Sequence, residues 1–272
     1  MADDTAGPHG HGDTGGLTMA SMQTHKRLAW ITGGGTGIGK ALALRLAADG
    51  WQVVVSGRRP EPLAETAGHA PDSIHPWPLD VTDVAALRRA VSEIETRHGP
   101  IDLAVLNAGM YSAVKLDSFK AEVMAEHMRV NYQGVVNGMD ALLPAMRKRH
   151  AGHMVLVASV AGYRGLPLAS AYGPTKAALI NLAESLKYLF EKEGLTISVC
   201  NPGFVETPLT EGNKFSMPFL MKVDDAAAAL QRGIYKRKFE IAFPTRFVLI
   251  LKFFRCMPYW MYFPLIRRMT GR

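Results

Sequence analysis

The sequence predicts an α/β fold, a single domain in which a doubly wound parallel sheet carries helices on both faces. Short apolar runs alternate with longer segments whose apolar residues recur at helical spacing, which is the pattern of strands joined by helical crossovers. The run at 51–56 contains three consecutive valines and is apolar on both faces, as expected for a strand buried between two helical layers. The 272 residues fit one domain of this kind, and no internal repeat is visible.

The elements are predicted in order along the chain. Apolar runs bounded by glycine or polar residues predict strands at 28–32, 51–56, 74–79, 101–106, 153–158 and 196–200. Helical spacing of apolar residues predicts helices at 38–48, 84–97, 119–149 and 169–192. Asp83 is placed to cap the second of these helices, and Gly50 and Gly99 follow the ends of the first two.

The residues that directly follow the strands are expected to meet in one crevice. In a parallel α/β sheet, ligands bind beyond the carboxyl ends of the strands. The segments that reach this edge are 32–39, 57–59, 80–81, 107–109, 159 and 201–203. This edge is therefore the predicted functional site.

A glycine-rich turn at 33–39 joins the first strand to the first helix. Glycines let the backbone approach a pyrophosphate, and the N-terminus of the helix offers free N–H groups and the positive end of its dipole. The strand, turn and helix around the glycines make a dinucleotide site a stronger interpretation than a simple tight turn.

The end of the second strand indicates which dinucleotide binds. An acidic side chain about twenty residues beyond the glycines would bind the ribose 2′-hydroxyl of NAD(H). Arg58 and Arg59 occupy that region, and no acid comes before Glu61. Since a guanidinium binds a 2′-phosphate through charge-assisted hydrogen bonds, the sequence favours NADP(H) over NAD(H).

Tyr172 and Lys176 are the candidate proton-transfer pair. Their i, i+4 spacing places them on one face of a helix, and an ammonium beside a phenol is expected to lower the pKa of the phenol. Pro174 fits only if Tyr172 lies in the first turn of that helix. Ser159 follows the fifth strand and is placed to hold a carbonyl oxygen, and Asn131 is expected mid-helix, where it bends the backbone or holds a water molecule.

Together these motifs resemble the classical short-chain dehydrogenase/reductase family, which has a Rossmann fold, and the likeness covers about residues 26–210. Asn107, Ala108 and Gly109 match a motif after the fourth strand, although Leu106 stands where the family usually has a structural asparagine. The resemblance implies cofactor contacts at Thr32, Gly33, Gly35, Thr36, Gly37, Ile38, Gly39, Arg58, Arg59, Asp80, Val81, Asn107, Ala108, Gly109, Tyr172, Lys176, Pro202, Gly203, Val205 and Thr207.

The same resemblance implies a catalytic role for four residues. Tyr172 is the general acid or base, and Lys176 lowers its pKa and binds the nicotinamide ribose. Ser159 orients the carbonyl, and Asn131 supports a proton relay through water to Lys176. The family also implies a homo-oligomer, a dimer or tetramer.

The C-terminal segment differs in character from the rest of the chain. Residues 244–272 hold six basic residues and no acid, and so carry +6 of the net charge of +7. This localised charge does not indicate a nucleic-acid-binding surface. Basic residues interleaved with aromatic ones suit contact with an anionic membrane surface, and packing against a partner subunit or over the pocket are the alternatives. The longest uncharged stretch, 256–266, is too short to span a bilayer.

The predicted organisation is a disordered leader at 1–25, a catalytic domain at 26–243 and a basic, apolar tail at 244–272. The leader lacks the apolar region of a secretory signal, and two cysteines without metal-ligand spacing fit a cytoplasmic protein that binds no metal. The segment 209–223 is interpreted as a flexible apolar lid, with Tyr111, Leu166 and Leu168 in the pocket wall.

The expected function is that of an NADP(H)-dependent oxidoreductase that interconverts a ketone and a secondary alcohol, with Tyr172 as general acid or base. The apolar lid and tail favour a hydrophobic substrate such as a 3-oxoacyl chain, a sterol or a sphingoid ketone. Two alternatives remain open: a broad-specificity carbonyl reductase for foreign compounds, and a non-catalytic NADP-binding scaffold.

Overall fold

A computed structural model describes residues 26–212 and 216–270. The predicted leader at 1–25, Phe215 of the predicted lid and Arg272 of the tail lie outside these residues.

Seven parallel strands form one sheet in the order β3-β2-β1-β4-β5-β6-β7. The strands are β1 Leu28–Thr32, β2 Gln52–Gly57, β3 Ile74–Pro78, β4 Ile101–Leu106, β5 His153–Val157, β6 Thr196–Pro202 and β7 Glu240–Phe243. The order runs outward from β1 in both directions, which is the doubly wound arrangement predicted from the sequence.

Ten α-helices connect and flank the strands in the described residues. They are α1 Gly37–Ala48, α2 Pro60–Gly68, α3 Val84–His98, α4 Ala121–Met128, α5 Gly134–Arg149, α6 Tyr172–Lys192, α7 Pro208–Glu211, α8 Val223–Tyr235, α9 Thr245–Cys256 and α10 Tyr259–Thr270. Helices α1 and α8 pack together on one face of the sheet, and α3 and α5 pack together on the other.

Alternate residues of each central strand point into two different cores. Leu28 and Trp30 of β1 join the core beneath α3, α5 and α6, whereas Ala29 and Ile31 join the core beneath α1 and α8. All five residues of β1 are buried, as the continuous apolar run predicted. Cys200 is buried in the second core, where burial raises the pKa of its thiol, so that it acts as a packing residue.

The long helix predicted at 119–149 is wrong as one continuous element. The chain forms α4, then one turn of π-helix at Arg129–Gln133, and then α5. Asn131 lies in the π turn and is fully buried, and its side chain bonds the backbone of Met110. The extra residue in this turn widens the helix and lets the buried side-chain amide of Asn131 form its hydrogen bonds. The spacing of apolar residues gives no sign of such a turn.

Several elements were absent from the sequence prediction. Helix α8 buries alanines that give little hydropathy signal, and β7 has only four residues, one of them Glu240. Helix α2 begins with Pro60 at its first position. The segment predicted to be helical from 169 begins instead at Tyr172, because 165–171 forms the loop that leads to the crevice.

The tail at 244–270 forms the helices α9 and α10. Their inner sides are buried in the core beneath α6, where Phe247, Val248, Leu251, Phe254 and Tyr262 are 2–7% exposed. Within residues 26–212 and 216–270, no helix is both long and apolar enough to cross a bilayer.

His153 is held neutral inside the sheet. Its Nε2 atom donates to Ser198 Oγ at 2.8 Å, because the Ser198 hydroxyl gives its own proton to the carbonyl oxygen of Lys238 at 2.6 Å. Burial, and to a lesser extent the charge of Arg237, lowers the pKa of His153 to about 4. The unfolded chain therefore binds a proton at this residue at a higher pH than the folded chain does.

His153 should make the fold acid-sensitive. Between the ordinary pKa of about 6.5 and the folded value, lowering the pH favours the unfolded chain, which alone takes up the proton. The free energy of unfolding should fall by about 2 kcal/mol from this residue alone between pH 7 and pH 5. In His153→Gln, urea unfolding at both pH values should show a correspondingly smaller fall. An equal fall in the variant and the original protein would contradict the assignment.

Candidate functional site

The glycine-rich turn leaves no room for side chains where it meets its neighbours. Gly33 has φ +68°, and a Cβ atom there would lie 2.8 Å from Asn107 Nδ2. A Cβ atom on Gly39 would lie 2.3 Å from the carbonyl oxygen of Gly33, and Gly37 has φ +53°. The turn therefore requires glycine for its conformation and for the close approach of its backbone.

Thr32 and Asn107 brace this turn from the neighbouring strand end. Thr32 Oγ1 accepts from the backbone N–H groups of Asn107 and Ala108 at 3.0 and 3.1 Å. Asn107 Nδ2 donates to the carbonyl oxygens of Thr32 and Gly33, both at 3.1 Å. The ends of β1 and β4 are thereby fixed to each other beside the glycines.

The N-terminus of α1 is open to a ligand. Thr36 occupies the N-cap position but makes no side-chain capping hydrogen bond, and the first turn contains no acidic residue. Its backbone N–H groups and dipole thus keep their affinity for an anion. Thr207, from the segment after β6, closes over this turn, because its methyl group would be 3.1 Å from a Cβ atom on Gly37.

The end of β2 carries exposed positive charge near Asp80. Arg58 and Arg59 are exposed, and Arg59 is the N-cap residue of α2. Burial alone would raise the pKa of Asp80, but hydrogen bonds from Thr82 and the charges of Arg58 and Arg129 hold that pKa below its usual value. The charge of Arg58 therefore acts on Asp80 across the ends of β2 and β3.

Val81 and Asn137 connect this region to the core. Asn137 Nδ2 donates to the carbonyl oxygen of Val81 at 3.1 Å, and a Cβ atom on Gly134 would press into the Val81 side chain at 2.6 Å. Helix α5 therefore packs directly against the segment that holds the predicted adenine contacts, Asp80 and Val81.

Tyr172 is the first residue of α6, so that Pro174 falls in the first turn as predicted. Its ring meets the ring of Tyr111 edge-on, with 5.3 Å between the centroids. Ser159, just after β5, lies close enough to Tyr172 for its hydroxyl to lower the pKa of the phenol. The Ser159 hydroxyl also lies 3.3 Å from the carbonyl oxygen of Pro202.

Lys176 is buried one turn further along α6. Its Nζ atom donates to the carbonyl oxygen of Val157 at 2.8 Å and lies 5.4 Å from the centroid of the Tyr172 ring. Asn131 accepts from the N–H of Met110 at 2.7 Å, and its Nδ2 lies 3.3 Å from the hydroxyl of Thr175. The structure thus brings Tyr172, Lys176, Ser159 and Asn131 to one edge of the sheet.

Gly109 marks the point on which two of these side chains converge. A Cβ atom there would lie 3.2 Å from Asn131 Oδ1 and 3.7 Å from Lys176 Nζ. Any other residue at this position would intrude between the amide and the ammonium.

Burial dominates the protonation of the central pair. It raises the pKa of Tyr172 to about 12, against the opposite effect of Ser159, and it lowers the pKa of Lys176 to about 8. The expected lowering of the Tyr172 pKa by Lys176 is therefore not seen in this arrangement. Removal of the phenol from water disfavours its charged form more than the neighbouring groups favour it.

The segment after β6 forms the opposite side of the crevice. Val205 is buried and pairs with Met221, which ties 203–207 to the predicted lid. A Cβ atom on Gly203 would lie 2.9 Å from the ring of Phe247, so that α9 packs directly behind this segment. The carbonyl oxygen of Leu168, a residue predicted for the pocket wall, accepts from the N–H of Val114 at 3.1 Å.

A polar network beside the site was not found by sequence reasoning. Glu240 Oε1 accepts from Tyr163 Oη at 2.5 Å and from Asn201 Nδ2 at 3.0 Å, and its other oxygen is paired with Lys252. These residues lie far apart in sequence and follow no motif, so no local signal identifies them. Thr175 was also missed, although it lies within the motif that contains Tyr172 and Lys176.

Two further features lie apart from these side chains. A cavity of about 530 Å³ opens between the loop at 163–165 and the tail helices, but none of Tyr172, Lys176 and Ser159 lines it. In the described part of the chain, no cluster of three histidine, cysteine or acidic side chains is arranged to hold a metal ion.

Comparison with known proteins gives a consistent result. Residues 27–216 match the family model described as short chain dehydrogenase. A protein of Myxococcus xanthus (strain DK1622), named an uncharacterized oxidoreductase, is 34% identical over 243 residues, which cover 88% of this chain and 95% of that protein.

Solved structures share the same architecture. A putative short-chain dehydrogenase from Novosphingobium aromaticivorans is 26% identical, with a TM-score of 0.74 and coverage of 83% of both chains. Levodione reductase is 25% identical, with a TM-score of 0.74 and coverage of 82% of this chain and 98% of that one.

Proposed function

The chain is an oxidoreductase of the short-chain dehydrogenase family, and on that premise we propose that it interconverts a ketone and a secondary alcohol with NADP(H). The observation that carries the proposal is the convergence of Tyr172, Lys176, Ser159 and Asn131 beside the glycine-rich turn. A binding scaffold would have no use for a buried ammonium next to a buried phenol, because burying both groups costs free energy.

The residues present fit a nicotinamide dinucleotide. Gly33 and Gly39 form a cradle that a Cβ atom would fill, and the uncapped N-terminus of α1 suits the pyrophosphate. Pro202, Gly203, Val205 and Thr207 would hold the nicotinamide side, and Asp80 and Val81 the adenine side. When bound, the cofactor supplies or accepts the hydride.

Tyr172 supplies the proton. When a carbonyl carbon gains a hydride, its oxygen needs one proton to become a hydroxyl, and Tyr172 Oη donates it. The raised pKa of Tyr172 keeps the phenol protonated at neutral pH, which is the state that reduction requires. Ser159 orients the carbonyl oxygen by a hydrogen bond.

Lys176 and Asn131 act on Tyr172 after the proton has left. The ammonium of Lys176 stabilises the phenolate, and its position also suits the hydroxyl groups of the nicotinamide ribose. Asn131 holds a water molecule that returns a proton through Lys176. Both side chains converge on the space kept free at Gly109.

The substrate is proposed to be hydrophobic or lipid-like. Tyr111 contacts Tyr172, and the predicted lid contributes Phe219, whose ring stacks on Phe247 of α9 at 5.7 Å. Leu209 and Leu220 of the same segment are exposed. An apolar wall of this kind favours long-chain ketones over small polar ones.

Three further properties are proposed together with this activity: a cytoplasmic location, a homo-oligomeric state, and peripheral contact of the tail with a membrane surface. The exposed Tyr188 and Leu189 on α6 offer an apolar surface for contact between subunits.

Tyr172→Phe should abolish turnover. The variant keeps the ring and its packing but lacks the proton, so that NADPH oxidation with an apolar ketone should fall at least a thousandfold (roughly the contribution of a positioned acid). NADPH binding, measured by fluorescence titration, should change less than about twofold. Tyr188→Phe, on the exposed side of the same helix, is the matched control and should retain full activity. Residual turnover in Tyr172→Phe near that of the original protein would refute the assignment.

Arg58 and Arg59 should determine the cofactor preference. The ratio of kcat/KM for NADPH to that for NADH should exceed about ten, because charge-assisted hydrogen bonds to a 2′-phosphate contribute about 1.5–3 kcal/mol each. In the double variant Arg58→Ala, Arg59→Ala, kcat/KM for NADPH should fall at least tenfold while that for NADH stays nearly constant. Arg89→Ala, an exposed arginine on α3, is the control. Equal efficiency of the original protein with both cofactors would contradict the proposal.

A further inference from the structure

Both tail helices expose an apolar face that also carries arginine. On α9, Arg246, Leu249, Ile250 and Phe253 follow i, i+3, i+4 and i+7 spacing and are all exposed. Leu249 and Phe253 are 61% and 63% exposed. These four residues therefore form one outward face, opposite the buried Phe247 and its neighbours.

Helix α10 repeats the same arrangement. Trp260, Phe263, Pro264 and Arg267 have the same spacing and are exposed, with Trp260 at 76% and Phe263 at 60%. A single exposed apolar residue is ordinary, but two successive helices with the same outward pattern are typical of a binding surface. We call these eight residues, four on each helix, the tail face.

The charged residues of the tail face, Arg246 and Arg267, have one sign. Arg246, Arg255, Arg267 and Arg268 are exposed, and within the described residues none of them pairs with a carboxylate. No acidic residue occurs after Glu240 anywhere in the sequence. The occupant of this surface must therefore be apolar and negatively charged at once.

We propose that the tail face docks on an anionic lipid bilayer, and that the substrate is an apolar ketone or alcohol taken from that bilayer. Tryptophan and phenylalanine insert at the level of the lipid headgroups, and arginines beside them bind lipid phosphates and carboxylates. Each basic residue near an anionic surface adds to the attraction.

A second copy of this chain fits the tail face less well. A twofold contact pairs a patch with the same patch of the partner, and here it would bring arginines against arginines with no acid between them. A lipid surface supplies the missing negative charge.

The tail face lies on the helices whose inner sides touch the crevice loops. Phe247 stacks on Phe204 and Phe219, with centroids 5.6 and 5.7 Å apart. Tyr262 Oη donates to the carbonyl oxygen of Gly165 at 2.6 Å, in the loop between Ser159 and Tyr172. Docking thus brings the loops around the site close to the bilayer. The assignment of the substrate, unlike the docking itself, rests on the proposed function.

Vesicle co-sedimentation of the full chain tests the docking. The protein should bind vesicles of phosphatidylcholine with about 30% phosphatidylserine at least tenfold more tightly than phosphatidylcholine alone. Two tail variants, Trp260→Ser with Phe263→Ser, and Arg246→Glu with Arg267→Glu, should each bind the anionic vesicles at least tenfold more weakly.

Matched controls change the same chemistry elsewhere on the surface. They are Leu116→Ser with Phe119→Ser, and Arg89→Glu with Arg232→Glu, and they should bind within twofold of the original protein. Circular dichroism should show that all four variants keep their helices. Binding by the tail variants equal to that of the controls would overturn the proposal. The proposal would also be overturned if the tail variants changed their oligomeric state, measured by light scattering, while their vesicle binding stayed the same.

The substrate assignment has its own readout. With a long-chain ketone held in anionic vesicles, kcat/KM of the tail variants should fall at least tenfold, whereas a short water-soluble ketone should be reduced within twofold of the original rate. Equal loss on both ketones would refute delivery from the bilayer. If neither ketone is reduced although vesicles are bound, the proposed oxidoreductase reaction and the substrate assignment fall, and the docking surface stands.

Discussion

The parallel direction of all seven strands is the constraint on which the site depends. It brings the ends of β1, β4, β5 and β6 to one edge, so that side chains distant in sequence meet there. These side chains keep a fixed geometry only if the loops that carry them are joined to one another. Hydrogen bonds of Thr32, Asn107 and Asn131 to neighbouring backbone join them. Hydrogen bonds of this kind, when every member is satisfied, rigidify the backbone that they join.

Burial determines the protonation of the two groups that the proposed chemistry uses, Tyr172 and Lys176. A phenol and an ammonium removed from water each favour their neutral form, which places the pKa of Tyr172 at about 12 and that of Lys176 at about 8. A neutral phenol still carries its proton, and in the proposed reaction it donates that proton to the substrate oxygen as negative charge develops there. The free chain thus holds Tyr172 in its neutral, protonated form at neutral pH.

The sequence was sufficient for the features that arise from local pattern. Buried strands, the glycine-rich turn and the position of Tyr172 in a first helical turn follow from periodicity, from the conformational freedom of glycine and from the missing N–H of Pro174. Features that depend on distant partners were not predictable. The π turn at Asn131 exists to satisfy contacts with Met110, and Glu240 joins Tyr163 and Lys252 only in the folded chain. The pKa of Tyr172 was misjudged for the same reason, since spacing reports a neighbour but not the degree of burial.

Hydride transfer to a carbonyl carbon is the central claim, and isotope transfer measures it directly. NADPH carrying deuterium on one or the other face of the nicotinamide is incubated with the protein and an apolar ketone, and the alcohol is analysed by NMR. One of the two labelled cofactors should place a single deuterium on the carbinol carbon, with no hydrogen from solvent at that carbon. An alcohol without deuterium from either cofactor, or no alcohol at all, would contradict the account.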